Sequence, residues 1–143
     1  MLSFSHDTAP AVASLETTVS SRTHSFTLDE PQSLGGTDAG MNPVEALLGA
    51  LGACKCIVAR CYAEAHGITL RDITVECSGV LDPDGFLGKN PEAKIGFSSI
   101  HSVFRIEADN SPEEIAEFVA FVDRTCPVQD TLSNPATMTH EIA

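Results

Sequence analysis

The segment 42–67 constrains the fold most, because it reads as one long helix with apolar residues on two sides. Asn42 is a suitable N-cap, Pro43 fits the first helical position, and Glu45 stands where it completes a capping box. An apolar stripe at four- and three-residue spacing comprises Leu47, Leu51, Cys54, Val58, Cys61 and Ala65. A line of mostly small residues comprises Glu45, Gly49, Gly52, Cys56, Ala59 and Ala63. We therefore predict a central helix that another helix or backbone segment approaches closely.

The rest of the chain supplies strands and a second helix. Residues 73–81 and 97–107 alternate apolar with polar side chains, and residues 12–28 are rich in Thr, Ser and Val. A second helix is predicted from Ser111 to Cys126, since the residue before a proline is driven out of helical geometry. Residues 131–142 are predicted to hold a turn and a short last strand.

This order of elements predicts an α+β fold in which two main helices pack against a mostly antiparallel sheet. The chain has 143 residues, which suits one domain spanning 1–143. Within that domain, residues 1–11 show no sustained periodicity and are expected to form a loose segment.

The charge excludes several classes of partner. Eight Lys and Arg residues stand against 20 Asp and Glu, a net charge of -12, and the basic residues are scattered. Nucleic acids and anionic membranes are bound through clustered basic residues, so neither is expected as a partner. Residues 1–7 show neither the basic cluster nor the apolar run of a secretory signal, so we expect a cytoplasmic protein with reduced cysteines.

Five cysteines are therefore the main candidates for chemistry. Cys56, Cys61 and Cys77 suit packing positions, since free cysteine often serves as a small buried hydrophobe. Cys54 lies on the inward stripe beside small residues, and Cys126 lies at a helix end, so a redox pair and core packing both remain open for these two. An activated thiol at position 54 needs a positive charge from elsewhere. Arg22 is the only Lys or Arg upstream of Lys55, so an N-terminal strand supplying that charge must use it.

No metal site is expected. Cys54, Cys56, Cys61 and His66 lack zinc-finger spacing. On a helix, residues 54 and 56 point about 200° apart, so they cannot clasp one ion.

Three motifs make the sequence resemble the OsmC/Ohr family of osmotically inducible and organic hydroperoxide resistance proteins. They are LGGTD at 34–38, NPVEALLGALGAC at 42–54 and CPVQDTLSNP at 126–135. The resemblance extends from about residue 29 to the C-terminus. It implies an OsmC-like α+β fold, an intertwined homodimer with central long helices, and active sites at the subunit interface.

The resemblance also implies cofactor-free peroxidase chemistry with two cysteines. Cys54 matches the peroxidatic position and attacks an organic hydroperoxide to become a sulfenic acid, while Cys126 matches the resolving position and forms the disulfide. An external dithiol, free or on a protein, then reduces that disulfide. A pocket lined by Leu47, Leu51 and Val58 is expected to favour organic peroxides.

The chain departs from the family pattern in two respects, at the family's glutamate and at its arginine. Family peroxidases have a glutamate ten residues before the reactive cysteine, where this chain has Val44 and places Glu45 one residue later. Arg22 matches the family's arginine by elimination, and Glu45 suits a helix cap as well as an arginine partner. The alternative function is that of a non-peroxidase OsmC-like protein, which binds a hydrophobic or thiol-reactive small molecule in the same interface pocket.

Overall fold

The computed structural model describes residues 14–142, which form an α+β fold of two compact units, residues 14–47 and 48–142. The elements are β1 (Thr17–Ser21), β2 (His24–Leu28), α1 (Pro43–Tyr62), β3 (Leu70–Val80), α2 (Pro83–Phe86), β4 (Ser99–Ala108), α3 (Pro112–Thr125) and α4 (Pro127–Ser133). Both pairs of strands are antiparallel. No helix in this range is long and apolar enough to cross a membrane. The predicted loose segment 1–11 lies outside the described residues.

The first unit is a hairpin followed by a loop that one carboxylate organises. β1 and β2 pair from Thr17 with Leu28 to Ser21 with His24, which leaves a two-residue turn. In the following loop, buried Asp29 accepts hydrogen bonds from the backbone N–H groups of Glu30, Thr37 and Ala39 and from the Thr37 hydroxyl. These bonds hold the pKa of Asp29 at about 2, the Thr37 hydroxyl contributing most. The loop is therefore fixed by an ionised side chain.

The second unit packs helices on a long hairpin. β3 pairs with β4 from Leu70 with Ala108 to Val80 with Ser99, with an irregularity between Leu70 and Asp72. Side chains of β4 alternate between exposed and half-buried along its whole length, as the sequence predicts for a half-buried strand. The core comprises Leu51, Val58, Ala59, Ala63, Ile68, Ile73, Phe118, Val122 and Cys126. The helices α1 and α3 both contribute to this core.

The predicted helix starts are confirmed by their hydrogen bonds. Asn42 Oδ1 accepts from the Glu45 N–H at 2.9 Å, and Glu45 Oε2 accepts from the Asn42 N–H at 2.8 Å. Ser111 and Glu114 form the same reciprocal capping box at the start of α3. Each box satisfies N–H groups that a helix start otherwise leaves without partners.

The predicted close approach to α1 is confirmed at Gly52, where the partner is a strand. A Cβ added to Gly52 would lie 3.1 Å from the Val75 carbonyl oxygen and 3.5 Å from Cys77 Sγ. Gly49 has nothing within 4 Å at the same position among the described residues. Contacts among residues 14–142 therefore require a glycine at position 52 but not at position 49.

Two expectations were wrong. No strand forms within residues 131–142: the chain continues as α4 up to Ser133, because Cys126 caps a new helix with Pro127 at its first position. The predicted apolar stripe is also buried only in part, since Leu51 and Val58 are buried while Cys61 and Ala65 are exposed. A buried lysine, Lys55, lies on the inward face instead.

Candidate functional site

Cys54 and Cys126 lie side by side in the second unit. Cys54 is in the middle of α1, and Cys126 is the residue between α3 and α4. The two side chains are close enough to interact, and Cys54 raises the pKa of Cys126. Both are free in this structure. The fold thus brings together two cysteines that are far apart in the sequence.

The surroundings of Cys126 keep this thiol protonated. Cys126 is 1% exposed, and burial is the main cause that raises its pKa. The adjacent Cys54 raises this pKa further, because its sulfur disfavours a negative charge on Cys126. The Gln129 N–H, which donates to Cys126 Sγ at 3.5 Å, opposes these effects in part. The thiolate form of Cys126 is therefore disfavoured.

The two cysteines differ in access to solvent. Cys54 is partly exposed, whereas Cys126 is buried in the core. A reagent from solution consequently meets Cys54 first. Cys126 can then react with a group formed on Cys54 without itself being open to solvent.

A half-buried ion pair lies next to the cysteines, and no local sequence pattern predicts it. Lys55 Nζ lies 2.8 Å from Asp123 Oδ1 and donates to Ser102 Oγ at 2.9 Å. Asp123 Oδ1 is buried and makes no aligned hydrogen bond, so charge attraction rather than directional bonding holds the pair. The ammonium also lies 5.3 Å from the centre of the Phe104 ring. The only sequence signal is a lysine one helical turn after Leu51 on an otherwise apolar face.

A cavity of about 460 Å³ opens beside this ion pair. Its lining includes Leu51, Lys55, Phe97, His101, Asp123 and Gln129. Of the residues predicted to form a pocket, Leu51 lines this cavity, while Val58 is buried in the core and Leu47, in the first unit, is 38% exposed. Neither Cys54 nor Cys126 is among the lining residues.

The two remaining predicted site residues belong to the first unit. Arg22 is exposed and occupies the turn between β1 and β2, where its backbone has a φ of 56°. Glu45 is engaged in the capping box with Asn42. Within residues 14–142, Arg22 makes no ion pair with a carboxylate. No group of three His, Cys, Asp or Glu side chains in that range converges to hold a metal ion.

The family follows from a match to the OsmC-like protein family model over residues 36–141. The chain belongs to the OsmC-like family. The matched range includes both Cys54 and Cys126, while the Arg22 hairpin precedes it. The resemblance in the three motifs is thus confirmed at the level of the family.

Curated relatives of this OsmC-like chain are named hydroperoxide reductases. The one from Mycoplasma genitalium is 33% identical over 94 residues, which are 65% of this chain and 62% of the relative. The one from Mycoplasma pneumoniae is 33% identical over 97 residues, 67% of this chain and 64% of the relative. The chain therefore spans somewhat less than two thirds of the length of these relatives.

Solved structures agree with the fold over nearly the whole OsmC-like chain. An OsmC-like protein from Mycoplasma pneumoniae superposes with a TM-score of 0.80 at 29% identity, covering 94% of this chain and 89% of that one. An organic hydroperoxide resistance protein from Legionella pneumophila gives 0.71 at 19% identity, covering 94% and 91%. At the lower identity the similarity establishes the fold alone.

Proposed function

We propose that this protein is a thiol-dependent peroxidase that reduces organic hydroperoxides. The observation that carries the proposal is the adjacency of a partly exposed thiol, Cys54, and a buried one, Cys126. The hydroperoxide reductase relatives support the same activity, which is extended to this chain on the shared family.

The reaction has three balanced steps. The Cys54 thiolate attacks the distal oxygen of a hydroperoxide, the O–O bond breaks, and the alcohol leaves after taking up a proton, which gives a Cys54 sulfenic acid. The Cys126 sulfur then attacks the Cys54 sulfur, and a water molecule leaves as the disulfide forms. An external dithiol reduces this disulfide by exchange and becomes a disulfide itself, so no bound cofactor is required.

The roles of the two cysteines follow from their environments. Cys54 is the peroxidatic residue in this proposal because it is the thiol that a peroxide in solution can reach. Cys126 is the resolving residue, because burial raises its pKa and keeps it a thiol until Cys54 has been oxidised. The reverse order would need a peroxide to reach a residue that is 1% exposed.

A role for Arg22 in ionising Cys54 belongs to the proposal. A non-glycine residue with a positive φ costs about 1–2 kcal/mol, and glycine or asparagine would avoid most of that cost. An arginine with a φ of 56° is therefore retained against a local preference, which favours a use for its side chain. Glu45 acts in this scheme by fixing the start of α1 rather than by orienting an arginine.

A homodimer is also part of the proposal. The side of α1 that carries Ala50, Ala53 and Ile57 is exposed, with Ile57 58% exposed. These residues follow three- and four-residue spacing, so they form one apolar face without a partner inside the described chain. A second copy packed against these three residues would cover this apolar face of α1. The test is sedimentation of wild type and Ile57→Glu, for which we expect a dimer and a monomer respectively.

Small-molecule binding without peroxide chemistry is the second candidate function. The cavity of about 460 Å³ supports it, because its lining includes apolar and polar side chains but neither thiol. A ligand held there would not depend on Cys54. This candidate function would be favoured if wild type consumed no peroxide and if Cys54→Ser still bound a hydrophobic small molecule.

Trapping and mapping test the peroxidase proposal directly. After one equivalent of cumene hydroperoxide, non-reducing peptide mapping should find Cys54 joined to Cys126. In Cys126→Ser the sulfenic acid should remain on Cys54 and react with dimedone. A dominant Cys54–Cys61 or Cys56–Cys61 disulfide would contradict the assignment.

A further inference from the structure

Lys55 is a buried charged residue that the reaction scheme leaves unused, and it is paired with the half-buried Asp123. The Lys55 side chain is 3% exposed and that of Asp123 is 37% exposed. Burying an ammonium costs several kcal/mol before pairing, so such a pair is a weak source of stability. The elements that this ion pair connects give a better reason for its presence.

The pair connects α1, which carries Cys54, with α3, which ends just before Cys126. Lys55 is the residue after Cys54 on α1, and Asp123 precedes Cys126 by three residues at the end of α3. At about 1.5 Å of rise per residue, each charged residue lies within one helical turn of its cysteine along the helix axis. The 2.8 Å ion pair therefore joins α1 and α3 at the level of the two sulfurs.

The ammonium is also held from the strand side. Ser102 Oγ accepts from Lys55 Nζ at 2.9 Å, and the Phe104 ring lies 5.3 Å from it. Both residues belong to β4. Because the contacts with Ser102 and Phe104 restrict the movement of the Lys55 ammonium, its ion pair with Asp123 fixes the position of α3 relative to α1 and β4.

We propose that Lys55 and Asp123 are positioning residues, which hold Cys126 in place for disulfide formation with Cys54. The inference rests on the proposed two-cysteine function. A disulfide needs Cα atoms about 4.4–6.8 Å apart, so a small change in the spacing of α1 and α3 lowers the effective concentration of one thiol at the other. The ion pair restricts that spacing in the reduced protein.

The test is an equilibrium measurement of the disulfide. Wild type, Asp123→Asn and Lys55→Met/Asp123→Asn are equilibrated with mixtures of reduced and oxidised dithiothreitol, and the Cys54–Cys126 disulfide is quantified by alkylation and mass spectrometry. Both variants should show an equilibrium constant for disulfide formation at least about tenfold lower, or about 30 mV for this two-electron couple. Glu76→Gln is the matched control, because it breaks a 2.8 Å ion pair with Arg105 on the exposed side of the hairpin.

Each result decides between the claims. Formation of the disulfide in wild type with unchanged constants in both Lys55–Asp123 variants would overturn the positioning role and leave the proposed function intact. A weakened constant in Asp123→Asn that the double variant restores would also overturn it, since an unpaired charge would then be the cause. Absence of the Cys54–Cys126 disulfide in wild type would overturn the proposed function itself. If Asp123→Asn does not fold, the double variant still provides the test, because Lys55→Met removes the ammonium that would otherwise be buried without a partner.

Discussion

Gly52→Ala tests how closely α1 is packed just before the reactive cysteine. Replacing a helix glycine by alanine gains about 1 kcal/mol of helix stability wherever the new methyl group fits. At position 52 the methyl carbon would lie 3.1 Å from the Val75 carbonyl oxygen, which a paired strand holds in place. Forcing an extra methyl group into a packed site costs about 1–3 kcal/mol. Gly52→Ala should therefore lie between neutral and about 2 kcal/mol destabilising.

Gly49→Ala is the matched control on the same helix. Apart from its chain neighbours and the backbone of its own helix, no described atom lies within 4 Å of its added Cβ, so it should keep the full gain of about 1 kcal/mol. The helix-propensity gain cancels in the comparison, which leaves a difference of about 1–3 kcal/mol between the variants. Urea unfolding followed by far-ultraviolet circular dichroism, at one protein concentration, measures it. Equal stabilisation by both substitutions would refute the close approach of β3 to α1.

Three further outcomes are expected. In Asp29→Asn, the acid dependence of stability should shrink: the Asp29 pKa of about 2 lies below its ordinary 3.8, so its carboxylate stabilises above pH 3.8 and this contribution is lost as pH falls through 2. The melting temperatures of wild type and Asp29→Asn are measured between pH 2 and pH 5, roughly the range over which carboxylates titrate. The same dependence of melting temperature on pH in both proteins would contradict this prediction. Asp123→Asn should lower the free energy of unfolding, measured in urea, by about 2–3 kcal/mol. This loss is smaller than for a fully buried pair, because Asp123 is 37% exposed. Glu76→Gln should lower the same free energy by under about 1 kcal/mol. Alkylation of Cys54 by iodoacetamide at neutral pH should be slower in Arg22→Ala than in wild type, and an unchanged rate would remove Arg22 from the scheme.

Local signals were sufficient for much of the fold. The capping boxes at Asn42 and Ser111 depend on residues three positions apart, so the sequence contains both partners. The alternation along β4 is likewise a property of consecutive residues. The helix α4 had a local signal too, Pro127 after a capping Cys126, which the turn-like residues Thr131 and Asn134 obscured.

Contacts between distant elements were harder to predict. The motif resemblance identified Cys54 and Cys126 as a pair, and the fold brings them together. Nothing local marks Asp123 as a partner of Lys55, because its charge suits an exposed helix face equally well. Lys55 is one of the scattered basic residues of the sequence, and only the structure shows its inward position on α1, which requires a partner for its charge.

The central claim is that Cys54 and Cys126 form a peroxidase couple, and a peroxidase assay tests it most directly. Consumption of cumene hydroperoxide in the presence of a dithiol is compared among wild type, Cys54→Ser, Cys126→Ser and the control Cys61→Ser, whose thiol is exposed. Wild type and Cys61→Ser should turn over, Cys54→Ser should be inactive, and Cys126→Ser should lose most of its turnover while still reacting once. Dithiol-dependent consumption that survives in Cys54→Ser would contradict the account.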